Sequence, residues 1–145
     1  KSIKFKNKIK KKFKIKDKDI KRRIKRELLN RKISLGSLGK FIHPLVRQEM
    51  RAFYKKNKNK KILFFEIPLL IENNLISFFD FIILVVSPKK LRLKRYQKNG
   101  GDKKMFYLLD KGQMSARKKI KYSDYLIVNN SSKSILKKKV NDIIK

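Results

Sequence analysis

Phe81-Ile82-Ile83-Leu84-Val85-Val86-Ser87-Pro88, "FIILVVSP", decides the fold class. An unbroken apolar run, β-branched and aromatic, closed by serine and proline, reads as a strand buried on both faces. Strands of that kind belong to parallel sheets layered between helices. Upstream, residues 62–67 of "KILFFEIPLLIEN" read as a second fully buried strand, ended by Pro68, which cannot donate to a ladder. Downstream, "DYLIVN" at 124–129 reads as a third. Ser87-Pro88 caps a helix over 89–98. "NGGD" at 99–102 is a loop, a helix follows from about 103 to 121, and Ser134 starts a last helix with Leu136, Val140 and Ile143 inward.

The N-terminal part reads as helices. Asp17 and Asp19 open one, with Ile20, Ile24 and Leu28 on its apolar stripe and acids at the positive end of its dipole. Leu35, Leu38 and Ile42 continue at helical spacing, weakened by Gly36 and Gly39. His43-Pro44 restarts a helix, proline suiting a first helical position. Val46, Met50 and Phe53 form its stripe, and "KNKNKK" at 56–61 is a turn. Residues 1–16 alternate lysine with Ile3, Phe5, Ile9, Phe13 and Ile15. The alternation suggests a strand, and the charge density suggests a loose segment. Strands alternating with helices give an α/β domain around a parallel sheet.

Composition narrows the function. The 145 residues carry 43 basic and 11 acidic side chains, a net charge of +32. Only nine of the basic residues are arginine, and the lysines fall on nearly every polar position. A nucleic-acid binder clusters arginine and lysine on one face, so no specific nucleic acid is expected, although non-specific attraction follows from the charge. There is no cysteine, and one histidine cannot hold a metal alone. No apolar run approaches the ~18 residues of a membrane span, and no secretory signal is visible, so a cytoplasmic protein is expected.

Several stretches could carry chemistry. "LGSLGK" at 35–40 imitates a phosphate loop, but its glycines are too close together, Phe41 follows the lysine, and a helical pattern precedes it. "FFEIPLLIEN" puts Leu69, Leu70 and Ile71 at the carboxyl end of a strand, where open parallel sheets bind ligands, bracketed by Glu66 and Glu72. It reads equally as a strand-ending loop with two solvated acids. "HPLVRQEM" sets His43 at a helix start and Arg47 one turn on, a pattern that favours phosphate, or an N-capping histidine with a surface arginine. "SPKKLRLKRYQK" carries Arg92, Arg95 and Lys98 directly after a strand, suited to clamping a polyphosphate. Gln113, Arg117 and Lys119 repeat the pattern on the next helix.

In order and spacing, "FIHPLVRQEM", "ILFFEIPLLIEN", "FIILVVSPKK", "LKRYQK" and "GQMSARKKIKYSDYLIVNNSS" resemble the bacterial dephospho-coenzyme A kinases, over about residues 17–144 and most strongly over 41–130. The resemblance implies a P-loop kinase-like parallel sheet with flanking helices and a helical lid. The single domain would comprise a helical acceptor-side region at 17–60, and core strands, lid helices and C-terminal helix at 61–145. The implied activity is transfer of the terminal phosphate of ATP, with Mg²⁺, to the ribose 3′-hydroxyl of dephospho-CoA. His43, Pro44, Arg47, Glu66, Pro68, Leu69, Leu70 and Glu72 would belong to the acceptor side. Arg95 would contact nucleotide phosphates, Lys98 or Asn99 stands near a second family arginine, Gln113 and Lys119 would lie on the lid, and Asn129 near adenine.

The chain also departs from that pattern. The family opens with a strand, a G-x-x-x-x-G-K-[ST] loop and an acidic D-x-D segment that supplies the general base. None occurs in these residues, so the N-terminal strands are expected to be missing and no catalytic residue is assigned here. Arg92 stands where many relatives have Gln, Val128 where Asp is common and Ser131 where Gly is common. The expectation is an unstable chain without kinase activity by itself. Two other readings are a basic nucleic-acid-binding protein and a non-catalytic CoA-binding remnant.

Overall fold

The expected parallel pairing is present. In a computed structural model that describes residues 3–16 and 19–144, Ile83–Val86 (β1) runs parallel to Tyr125–Val128 (β2), Ile83 opposite Tyr125 and Val86 opposite Val128. Asp124 sets the start of the ladder, its Oδ2 accepting the Ile82 N–H at 2.7 Å. Asn129 closes the other end, its N–H donating to the Val86 carbonyl at 2.8 Å.

The strand expected at 62–67 is not formed. The segment is irregular and finds no ladder partner among the described residues. Ile62 and Phe64 are exposed while Leu63, Phe65 and Ile67 are half-buried. A strand exists only by its neighbour, and the apolar run alone could not supply one. Double-sided burial fails for the two formed strands as well: Ile127 is only 2% exposed, but Val85 and Leu126 are 53% and 48% exposed.

The chain forms two compact units, Lys1–Phe65 and Glu66–Lys145. The first is helical: Ile3–Lys12 (α1), Ile20–Leu29 (α2) and Leu35–Asn57 (α3). The lysine-rich start is thus a helix, neither strand nor loose. Phe5, Ile9 and Phe13 also recur every four residues, and lysine is a good helix former. Lys14, at φ 48°, ends α1, and the Ile15 N–H reaches back to the Lys10 carbonyl at 2.9 Å. Ile9, Ile15 and Leu28 are buried, and the Phe13 and Phe41 rings meet edge to face at 5.6 Å. Asp19 caps α2 by accepting the Arg22 N–H at 3.1 Å; Asp17, also expected there, lies outside the described residues.

No helix restarts at His43-Pro44. Ser34 caps α3 by accepting the Ser37 N–H at 3.0 Å, and the helix passes through Pro44 to Asn57. A proline costs its own backbone hydrogen bond, and it did not stop a helix already under way, with Leu38, Ile42 and Leu45 half-buried along it.

The second unit continues through a turn at 68–74, a 3₁₀ turn at Ile76–Phe78, then β1, Lys89–Lys98 (α4), Lys103–Lys111 (α5), Ala116–Ile120 (α6), β2 and Lys133–Ile144 (α7). Ile71, Leu75, Met105, Phe106 and Ile127 are its buried apolar residues. Helix α4 spans 89–98 as expected, but Ser87 does not cap it. Pro88 is the cap residue, and the buried Ser87 hydroxyl has no hydrogen-bond partner. The helix expected at 103–121 is two helices. Gly112 ends α5, and Ser115 restarts the chain as α6 by accepting the Lys118 N–H at 3.4 Å.

Candidate functional site

In the helical unit, the acceptor-side candidates lie on α3. The His43 ring packs over Gly39, where an added Cβ would stand 3.1 Å from the imidazole. Glycine at 39, which weakens the helix, is what admits the ring. Pro44 and Arg47 are exposed and line a shallow depression of about 620 Å³ together with Gln48, Arg51, Ala52 and Lys55. These recur three and four residues apart, one face of one helix. Arg51 and Lys55 were not singled out by sequence; their spacing from Arg47, four and eight residues, was the available signal.

In the second unit, Glu66 is exposed, and Pro68 to Asn74 form a turn instead of a sheet edge. The turn is tied by its own backbone: Asn73 N–H to Leu69 carbonyl at 3.2 Å, and Leu75 N–H to Leu70 carbonyl at 3.0 Å. Asn74, at φ 53°, makes that closure possible. Leu69 and Leu70 are half-buried. Ile71 does not project to a ligand: it is 7% exposed and belongs to the core.

Glu72 turns inward. Its Oε1 accepts from Lys119 Nζ at 2.9 Å and from the Met114 N–H at 2.8 Å. Lys119 Nζ also donates to the Pro68 carbonyl at 3.2 Å. Burial pushes the Glu72 carboxyl up, but the bonds from Lys119 and the Met114 N–H outweigh it and hold the pKa below the ordinary carboxylate value. Pro68 and Glu72 of the turn and the sequence-distant Lys119 are thus one cluster. Gln113, the other lid candidate, is exposed beside it.

A second cluster stands at the carboxyl ends of β1 and β2. Arg95 Nη1 donates to the Asn129 carbonyl at 2.9 Å, joining α4 to the loop after β2. The start of α4 lies directly after β1, so its positive dipole end and Arg95 face the end of the sheet where parallel α/β folds bind ligands. Lys98 is exposed at the far end of α4 and is not part of this group.

Two residues that sequence did not single out hold this region. Asp110 on α5 bonds Lys89 Nζ and Arg92 Nη1, each at 2.8 Å. The Lys89 hydrogen bond, reinforced by Arg92 against the opposing effect of burial, holds its carboxyl below the ordinary value. Arg92 is thereby committed to α5 and the Ser87 carbonyl, 3.1 Å away, and lies over the Phe106 ring. Lys139 on α7 donates to the Val128 carbonyl at 3.0 Å. Asp110 could have been found as one of only 11 acids in a chain of lysines; nothing distinguished Lys139 from its neighbours.

Residues 4–134 match the family model for dephospho-CoA kinase. The dephospho-CoA kinase of Rickettsia prowazekii (strain Madrid E) is 30% identical over 125 residues, covering 86% of this chain and 65% of its own length. That of Fusobacterium nucleatum subsp. nucleatum is 33% identical over 123 residues, covering 82% and 62%. That of Wolbachia pipientis wMel is 30% identical over 105 residues, covering 71% and 54%. The chain spans 65% or less of the length of each of these relatives.

Proposed function

The chain belongs to the dephospho-CoA kinase family, and from that premise we propose that it serves transfer of the terminal phosphate of ATP to the 3′-hydroxyl of dephospho-CoA, the last step of coenzyme A synthesis. The observation that carries the reading is the Arg95–Asn129 bond at the carboxyl ends of β1 and β2. It holds a guanidinium from the last turn of α4 against the loop that follows β2, and a guanidinium suits phosphate. Phosphoryl transfer is chiefly positioning and charge stabilisation, and Arg95 contributes both. Asn129 and the exposed Gln113 complete the nucleotide side of the proposal, while Lys98, at the far end of α4, stands apart from it.

The acceptor-side candidates stay as two separate sets, His43, Pro44 and Arg47 on α3 of the helical unit, and Glu66, Pro68, Leu69, Leu70 and Glu72 in the second unit. In the helical unit Arg47 would pair with a phosphate; in the second unit, taken by itself, the half-buried Leu69 and Leu70 would meet apolar ligand surface. Glu72 acts from behind, through Lys119.

Among the described residues no group of three or more His, Cys, Asp or Glu side chains could hold a metal. We assign Mg²⁺ to ATP, as the counter-ion of the co-substrate. The 145 residues contain no G-x-x-x-x-G-K-[ST] sequence. We therefore expect them to bind both substrates without turnover. No helix among the described residues is long and apolar enough to cross a membrane, and we place the activity in the cytoplasm.

Calorimetric titration of the 145-residue chain with dephospho-CoA and with a non-hydrolysable ATP analogue tests the reading. Both are expected to bind, and Arg95→Met should weaken the analogue by about tenfold, roughly one charge-assisted bond, while sparing dephospho-CoA. Binding of neither ligand would sink the reading. Release of ADP in the presence of dephospho-CoA would overturn the expected lack of turnover.

A further inference from the structure

Lys119 is unlike the other lysines of this chain. It is the one charged residue that is buried among those described, at 8% exposure, in a molecule that keeps lysine at its surface. An ammonium group leaves water only when its hydrogen bonds are replaced. Here they are replaced by Glu72 Oε1 at 2.9 Å and the Pro68 carbonyl at 3.2 Å, both in or beside the 68–74 turn. The same Glu72 oxygen takes the Met114 N–H at 2.8 Å, from the break between α5 and α6. Two segments more than 40 residues apart are thus joined by three polar bonds, two to one Glu72 oxygen and one to the Pro68 carbonyl. A lysine so placed is directed at the turn, leaving little of it to meet a nucleotide phosphate.

We propose that Lys119 is a positioning residue that, through Glu72 and the Pro68 carbonyl, latches the 68–74 turn to the 112–120 segment so that acceptor turn and lid segment act as one piece. The functional half of this inference rests on the reading that the turn serves the acceptor. The mechanical half does not. With the latch closed, Leu69 and Leu70 are presented in one fixed arrangement. With it open, the turn loses its anchor to α6 and its internal hydrogen bonds open more often.

Amide hydrogen exchange and ligand titration on the full 145-residue chain test both halves, with Lys119→Met, Lys119→Arg and Glu72→Gln. Exchange at Met114 and across 73–75 is expected to speed up about tenfold or more in Lys119→Met and Glu72→Gln, and to return toward the parent rate in Lys119→Arg. Dephospho-CoA affinity should fall about tenfold in Lys119→Met and recover in Lys119→Arg, with the non-hydrolysable ATP analogue changed less than about twofold. Unchanged exchange at Met114 in both disrupting variants would overturn the latch. So would a Lys119→Met chain that loses the ATP analogue more than dephospho-CoA, because Lys119 would then be a phosphate ligand. If the parent chain binds no dephospho-CoA, the proposed function fails, and the exchange rates still decide the latch.

Discussion

Acidic residues are the structural markers of this molecule. With lysine at most polar positions, a single lysine says little, whereas six of the 11 acids make bonds that shape the fold. Asp19 and Asp102 cap helices, Asp124 starts the sheet, Glu27 pairs with Arg23, and Glu72 and Asp110 each hold a lysine. The last two have lowered pKa values, so the sign of their pH effect follows. A carboxyl whose folded pKa is depressed stabilises the fold above its ordinary value, and that stability is lost as pH falls through the lowered one. The melting temperature should therefore hold between neutral pH and about pH 5, then fall below the ordinary values of 4.5 for Glu72 and 3.8 for Asp110. Asp110→Asn should flatten part of that fall. At pH 7 it should cost about 1 kcal/mol in a urea titration, a modest figure because Lys89 and Arg92 are half open to solvent. Glycine pair 100–101 gives a second test at this scale. Gly100 sits at φ 75°, and an added Cβ there costs about 1 kcal/mol from backbone strain alone. At Gly101 a Cβ would overlap the Tyr96 ring and carbonyl, so Gly101→Ala should destabilise more than Gly100→Ala.

The elements show which signals were legible. Helix α4, β1 and β2 lie where the sequence puts them, because each is bounded by local punctuation: Ser87-Pro88, "NGGD" and Asp124. Residues 62–67 have as strong an apolar signal as β1 and form no strand, because pairing is a property of the neighbour. Helix α1 was hidden because its apolar residues fit a period of two and a period of four at once. The break at Gly112–Ser115 was overlooked although a glycine followed shortly by a capping serine announces it. Of the site, the arginine after β1 and the acids near Pro68 were visible as residue types, but their partners were not. The Glu72–Lys119 and Arg95–Asn129 contacts join positions 47 and 34 residues apart, beyond any local pattern. Pro44 gives the test at this scale. It is interior to α3, where a proline costs up to about 3 kcal/mol relative to alanine. Pro44→Ala should therefore raise the urea midpoint followed by helical circular dichroism; an unchanged or lower midpoint would mean that α3 is built around the proline.

At the scale of the molecule, the charge of +32 must be separated from the site. Like charges repel along the whole chain, and salt screens them within about 10 Å at 0.1 M. Added salt should therefore raise the melting temperature, opposite to its effect on the exposed ion pairs, because the repulsive pairs far outnumber the attractive ones. The same charge will attract any polyanion. Phosphate contacts made by scattered lysines carry no sequence information, so binding to duplex DNA should be independent of its sequence. It should also weaken by about a thousandfold or more between about 50 mM and about 200 mM salt, as expected when six or more phosphates are neutralised. Dephospho-CoA offers few phosphates, so the proposed binding of it should lose far less over the same range. Fluorescence anisotropy with two unrelated duplexes, run beside dephospho-CoA calorimetry at both salt concentrations, separates the two behaviours. A duplex that survives the higher salt with a preference for one sequence would make nucleic acid the partner that this surface evolved to meet. Parallel, shallow salt dependence for dephospho-CoA alone would leave the lysines as a background against which a small-molecule site is read.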